Sequence, residues 1–234
     1  MTSLEATERR RWRPGSRVGR LRASHSYRPV LVLIFAVFAF VSAAPEAAWA
    51  RAVLTLGLCL LLLLALWTSG VTRDYRLGTA LVAVVVAAAV GALVNGGSTL
   101  EGSLGLVDFA LAVAAAVAIG IGVVDQGEVN RQSVLGAICI YVLLGLLFTF
   151  VYGAVAVLQS GPFFAQGTDG TASLRLYFSY VTLATLGYGD YTARTNLGHT
   201  LAIVEALLGQ LYLVVVLALL VSNLGRKAPK PPAA

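Results

Sequence analysis

Residues 182–191 read TLATLGYGDY. Gly187 and Gly189 stand on either side of Tyr188, and Asp190 follows at once. Consecutive L-residues in one ordinary conformation alternate the direction of successive groups along the chain. Glycine takes left-handed backbone angles without steric cost. Glycines at every second position therefore let right- and left-handed angles alternate, which turns the carbonyls the same way. A row of aligned carbonyl oxygens can replace the water around a desolvated cation. Leu186 and Tyr188 would then point outward into surrounding protein and wedge the strip open. Such a strip must be held by a scaffold that keeps water from its flanks.

The rest of the chain reads as that scaffold. Its 234 residues are 58% hydrophobic and 12% charged, where a soluble domain carries about 25% charge. The apolar residues come in blocks. A bilayer core about 30 Å thick takes about 20 helical residues at about 1.5 Å each. Six blocks approach that length: 29–45, 51–70, 77–95, 104–124, 134–158 and 198–222. A large soluble protein is excluded because too little polar surface would remain to cover such a core. Cys59 and Cys139 lie in different blocks without metal-type spacing, so both read as small apolar residues. His25 and His199 are isolated and make no metal site.

Orientation follows from the basic residues. Eight arginines, from Arg9 to Arg28, precede the first block; Arg73, Arg76, Arg131, Arg226, Lys227 and Lys230 fall on the same side if six helices alternate. Only Arg51, Arg175 and Arg194 fall on the other. The bias gives six spans with both termini in the cytoplasm. The basic arm 1–28 reads as a membrane anchor rather than a nucleic-acid arm. A secretory signal is a rival reading, since Ala48-Trp49-Ala50 resembles a cleavage site; cleavage would leave five spans in the same orientation.

The chain divides into the arm 1–28, a four-helix part 29–124, a cytoplasmic linker 125–133, a back part 134–224 and a Pro-rich tail 225–234 that is expected to be disordered. NGGSTLEGS (95–103) reads as a flexible extracellular loop. In the back part an outer helix, 134–158, leads to the turn-rich QSGPFFAQGTDG (159–170). The segment 173–184 is too short to cross, so it enters the membrane, stops, and the chain returns through 185–190 to the same side. Irregular backbone at that depth is tolerated only where it is buried in protein or lines water. The fold class is thus an all-α membrane protein with six transmembrane helices and a re-entrant pore helix and filter loop between the fifth and sixth.

Thr185-Leu186-Gly187-Tyr188-Gly189-Asp190 resembles the selectivity filter of the potassium channel superfamily, TVGYGD, at five of six positions. Leu replaces the usual Val on a side chain that faces away from the ions. The resemblance implies stacked K+ sites formed by the carbonyls of Thr185, Leu186, Gly187 and Tyr188 with the Thr185 hydroxyl, and Gly189 completing the strip. It also implies a homotetramer, since one motif per chain is one quarter of a closed ring. YVLLGLLFTFVY (141–152) is similar to the outer pore helix of bacterial members, and the likeness covers about residues 130–224. Gly209, nineteen residues after Asp190, stands where the family's inner helix bends to open its gate; close helix packing is the other reading.

Some filter-supporting positions depart from the family. Tyr177 and Phe178 stand where a pair of tryptophans is often found. Tyr177 keeps a hydroxyl for Asp190, whereas Phe178 would only pack near Tyr188. Val181 takes the place of a glutamate beside the filter. Glu205, the only acidic residue inside the last span, must face protein or water; it is a brace to the pore helix or a proton sensor. Asp108 poses the same question in the fourth block. The pore helix would direct its C-terminal end, about half a negative charge, at the ion cavity.

Residues 77–130 contain no lysine or arginine. A voltage sensor needs several, each worth about 2.3 kcal/mol per 100 mV, so the front helices are not expected to sense voltage. A lipid-facing scaffold, a packing collar and a modulator site all remain open for them. With LGRKAPKPPAA at the end of the sequence, a gate run by nucleotide or calcium is expected to need a separate regulatory subunit. The reading is a passive K+-selective channel in a prokaryotic plasma (inner) membrane, with the lipid bilayer and K+ as its partners and no cofactor. The alternatives are a weakly selective cation channel, against which Tyr188 argues, and the pore subunit of a potassium uptake transporter, whose chains carry four loops. An enzyme would need a cluster of His, Cys or acidic residues at one depth.

Overall fold

In the computed structural model, the described residues are 26–69, 98–125 and 131–224. Among them are six helices: α1 (Arg28–Ala43), α2 (Ala48–Ser69), α3 (Ser98–Asp125), α4 (Arg131–Leu158), α5 (Ala172–Leu183) and α6 (Asn196–Leu224). The third apolar block, 77–95, lies outside the described residues, as do most of the basic arm, the middle of the linker and the tail.

Four of the helices, α2, α3, α4 and α6, are long and apolar enough to cross a membrane. The first block falls short as a helix. Its 16 residues rise about 24 Å at about 1.5 Å each. Pro29 sits in its first turn, where a missing N–H costs nothing. Pro45 ends it: the residue before a proline is pushed out of the helical region, and Ala44 is extended, with φ −71° and ψ 140°.

The reading of NGGSTLEGS (95–103) as a loop is corrected for 98–103, while 95–97 lie outside the described residues. The helix α3 already begins at Ser98. The sequence places an acidic residue, Glu101, at its opening turn, a position that the helix dipole favours for acidic residues.

Helices α1 to α4 share one apolar core in which Ile34, Leu58, Leu62, Leu111, Ile119 and Leu143 are fully or almost fully buried. Both cysteines are free and belong to it. Helix α1 also packs on α5: Phe38 meets Tyr180 edge to face with ring centroids 5.1 Å apart, and Ser173 Oγ donates to the Ser42 carbonyl at 3.0 Å. In the turn after α1, Glu46 Oε1 accepts from the N–H of Ala172 at 2.7 Å. A carboxylate from the front of the chain thus caps the first turn of α5.

A second cluster, of aromatic rings, sits beside the first turns of α6. Phe148, Tyr152, Phe163, Phe164 and Phe178 pack there with Ala193. The residues before α5 and those after 185–190 are tied together: Ala165 N–H donates to the Thr192 carbonyl at 2.9 Å and Arg194 N–H to the Phe163 carbonyl at 2.8 Å. The last helix, α6, is the least covered. Only 11% of its most apolar window is buried, against 50% for α4.

Candidate functional site

The site begins where α5 ends. Thr171 caps its start by accepting from Leu174 N–H at 3.1 Å. The helix runs 12 residues to Leu183. The next N–H groups fold back on its last turn: Thr185 N–H donates to Thr182 O and Leu186 N–H to Val181 O, both at 2.9 Å. Beyond that point the backbone leaves helical form, and residues 184–190 are all exposed in the single chain.

Backbone angles in this strip alternate. Positive φ occurs at Thr185 (55°), Gly187 (57°) and Gly189 (78°), with ordinary φ at Leu186 and Tyr188 between them. Glycine at two of the three positions removes the steric cost. The sequence had marked the two glycines; Thr185 joins them, and is the only non-glycine residue with positive φ among the described residues.

The outer end of the strip is anchored by side chains. Tyr177 donates to Asp190 Oδ2 at 2.7 Å, and its ring stacks on Tyr188 at 6.5 Å between centroids. Gln166, from the preceding loop, donates to the Asp190 carbonyl at 2.9 Å.

Phe178 does not pack near Tyr188 within the chain, contrary to expectation. Its ring meets Tyr152, Phe163 and Phe164 at 5.0, 6.1 and 5.4 Å. Adjacent residues of a helix point about 100° apart, so with Tyr177 turned to the strip, Phe178 turns into the aromatic cluster. Val181 is buried beside the strip, and it is its backbone carbonyl that meets Leu186.

Glu205 is completely buried. Its Oε1 accepts from Ser179 of α5 and its Oε2 from Tyr152 of α4, each at 2.5 Å. Ser179 Oγ also lies 2.7 Å from the Gly145 carbonyl, and Tyr180 donates to the Val142 carbonyl at 2.6 Å. One carboxyl group therefore links α4, α5 and α6 behind the strip. Gly209, one turn further along α6, lies against the end of α5: a Cβ there would be 2.5 Å from the Leu183 carbonyl oxygen. Asp108 is buried in α3, where Thr55 of α2 donates to it at 2.7 Å.

Sequence reasoning missed Tyr152, Ser179, Gln166, Glu46 and Gln210. A signal existed for the first two, because an acid inside an apolar span requires polar partners on its neighbours. Gln210 reaches the foot of the strip, where its Nε2 donates to Thr185 Oγ1 at 2.9 Å. Nothing local foretells the other three contacts, which depend on how distant segments meet.

Residues 137–226 match a family model described as "Ion channel". The chain is also 30% identical over 82 residues to a protein of Methanocaldococcus jannaschii described as "Probable potassium channel protein 2". That stretch is 35% of this chain, which spans 20% of the relative's length. No solved structure matches significantly. These matches point to a channel rather than an enzyme, and together they support the potassium channel superfamily for the segment that carries the site.

Proposed function

We propose that this chain is one subunit of a tetrameric, potassium-selective channel whose filter is residues 185–190. The observation that carries the reading is the alternation of positive and ordinary φ through Thr185–Gly189, directly after a helix too short to span. Alternation of that kind aligns carbonyls for a cation. The strip's exposure in a single chain supports a closed ring of copies, because lone carbonyls need partners or water at membrane depth. The bare apolar surface of α6, where Ile203, Leu207, Leu211 and Val214 are each more than half exposed, is matched to neighbouring copies and lipid.

In this reading Thr185, Leu186, Gly187 and Tyr188 supply the K+ sites, Tyr177 and Asp190 clamp the outer end, and Glu205 fixes the helices behind. Helix α5 re-enters the membrane with its C-terminal carbonyls toward a central cavity, where four half-charges favour a cation. In this reading the chain crosses six times, with α1 a short span around which the bilayer thins and the block 77–95 another, and both ends lie in the cytoplasm of a prokaryotic cell. The front helices carry no voltage-sensing arginines. Conduction is passive.

The test is flux from liposomes that hold the purified protein. Potassium efflux should exceed sodium efflux by at least about tenfold, the factor of about 1.4 kcal/mol of differential coordination. Gly187→Ala should abolish the difference: no neighbour within the chain blocks the methyl group, but an L-residue at φ 57° is disfavoured by about 1–2 kcal/mol. Equal fluxes in the wild type would overturn the selectivity, and an unaltered variant would overturn the filter.

A further inference from the structure

Thr185 is held in a conformation that needs support. A β-branched residue at φ 55° is an outlier, and such strain persists only where the surroundings over-determine it. Two ties reach Thr185: its N–H donates to Thr182 O at 2.9 Å, and its hydroxyl oxygen accepts from Gln210 Nε2 at 2.9 Å. The second tie comes from a different element and depends on how closely α6 approaches. Gly209 leaves no room for a Cβ against Leu183, so α6 comes in at that point to backbone contact, and the next residue is carried to the foot of the strip.

We propose that Gln210 is a positioning residue that sets the selectivity of the innermost cation site. The inference rests on the reading of residues 185–190 as a filter. The carboxamide is neutral, so it adds no charge to repel or trap a cation. It occupies one lone pair of Thr185 Oγ1 and leaves the other for an ion, and it fixes the side-chain rotamer that points that lone pair. In a tetramer four such amides ring the foot of the passage. An apolar side chain in the same place would leave Thr185 free to turn, and the innermost site would lose its defined size.

The test uses the full chain in liposomes, with potassium and sodium efflux measured separately. Gln210→Leu should lower the potassium-to-sodium ratio about fivefold, the equilibrium factor of one neutral hydrogen bond. Gln210→Met, which is closer in shape, should do the same and covers the case in which the leucine variant does not assemble. If Gln210 acts through the hydroxyl, the effect should disappear on a Thr185→Val background, since coupled residues are not additive. Where that background carries too little flux, the ratios of the single variants decide. An unmoved ratio in both single variants, or an equal drop on the Thr185→Val background, overturns the proposal. A selective wild type with unmoved Gln210 variants removes this inference alone, whereas an unselective wild type removes the filter reading beneath it.

Discussion

Two carboxyl groups are buried among the described residues, and they are held differently. Asp108, in the front helices, accepts from Thr55 on the adjacent α2. Glu205, in the back part, accepts on both oxygens from Tyr152 and Ser179 on two other helices. The contrast extends to the packing around them. Helices α1 to α4 meet mainly through aliphatic side chains. Around α5 and α6 the contacts are aromatic rings and short polar bonds, such as Tyr212 donating to the Ala137 carbonyl at 2.6 Å. Aliphatic packing tolerates substitution of similar volume; a hydrogen-bonded carboxyl sets direction and distance. Directional contacts thus gather where α5 and the strip after it must be held in one place.

The largest consequence falls on Glu205. Glu205→Ala leaves the Tyr152 hydroxyl buried without its acceptor and opens a void, which should cost about 3 kcal/mol. Glu205→Gln keeps an acceptor for Tyr152 and supplies an N–H toward Ser179, so it should retain most of the stability. Thermal unfolding of both variants in detergent gives the order, and equal midpoints would mean that the carboxyl group ties nothing together.

Gly209→Ala comes next. Its methyl group would lie 2.5 Å from a backbone carbonyl that cannot swing aside, so α6 must shift from α5 at about 1–3 kcal/mol. Lower thermal stability together with altered flux is expected. A variant of unchanged stability would favour the bending role over the packing one.

Asp108→Ala should be milder, at about 1–2 kcal/mol for the buried Thr55 hydroxyl left without its acceptor. It should lower stability while leaving the potassium-to-sodium ratio unchanged. A changed ratio would mean that the front helices reach residues 185–190 energetically, through the contacts of Glu46 and Ser42 with the start of α5.

Much of this was legible in the sequence because the signals were local. Apolar runs set α2, α4 and α6 to within a few residues, and the glycine spacing marked two of the three left-handed positions. Tyr177 and Asp190 belong to one short stretch, so their bond was foreseeable. What was missed depends on tertiary approach. Phe178 turns to rings contributed by the loop 159–171 and by α4. Gln210 meets Thr185 because Gly209 lets two helices touch. The block 29–45 matches α1 to within two residues as well, because Pro45 is a local stop signal.

The most direct test of the central claim is a structure of the assembled protein in a bilayer mimic with potassium present. The account predicts four copies around an axis, the carbonyls of Thr185 to Tyr188 facing it, and cation density between them. Residues 185–190 on an outer rim, away from any symmetry axis, would contradict it.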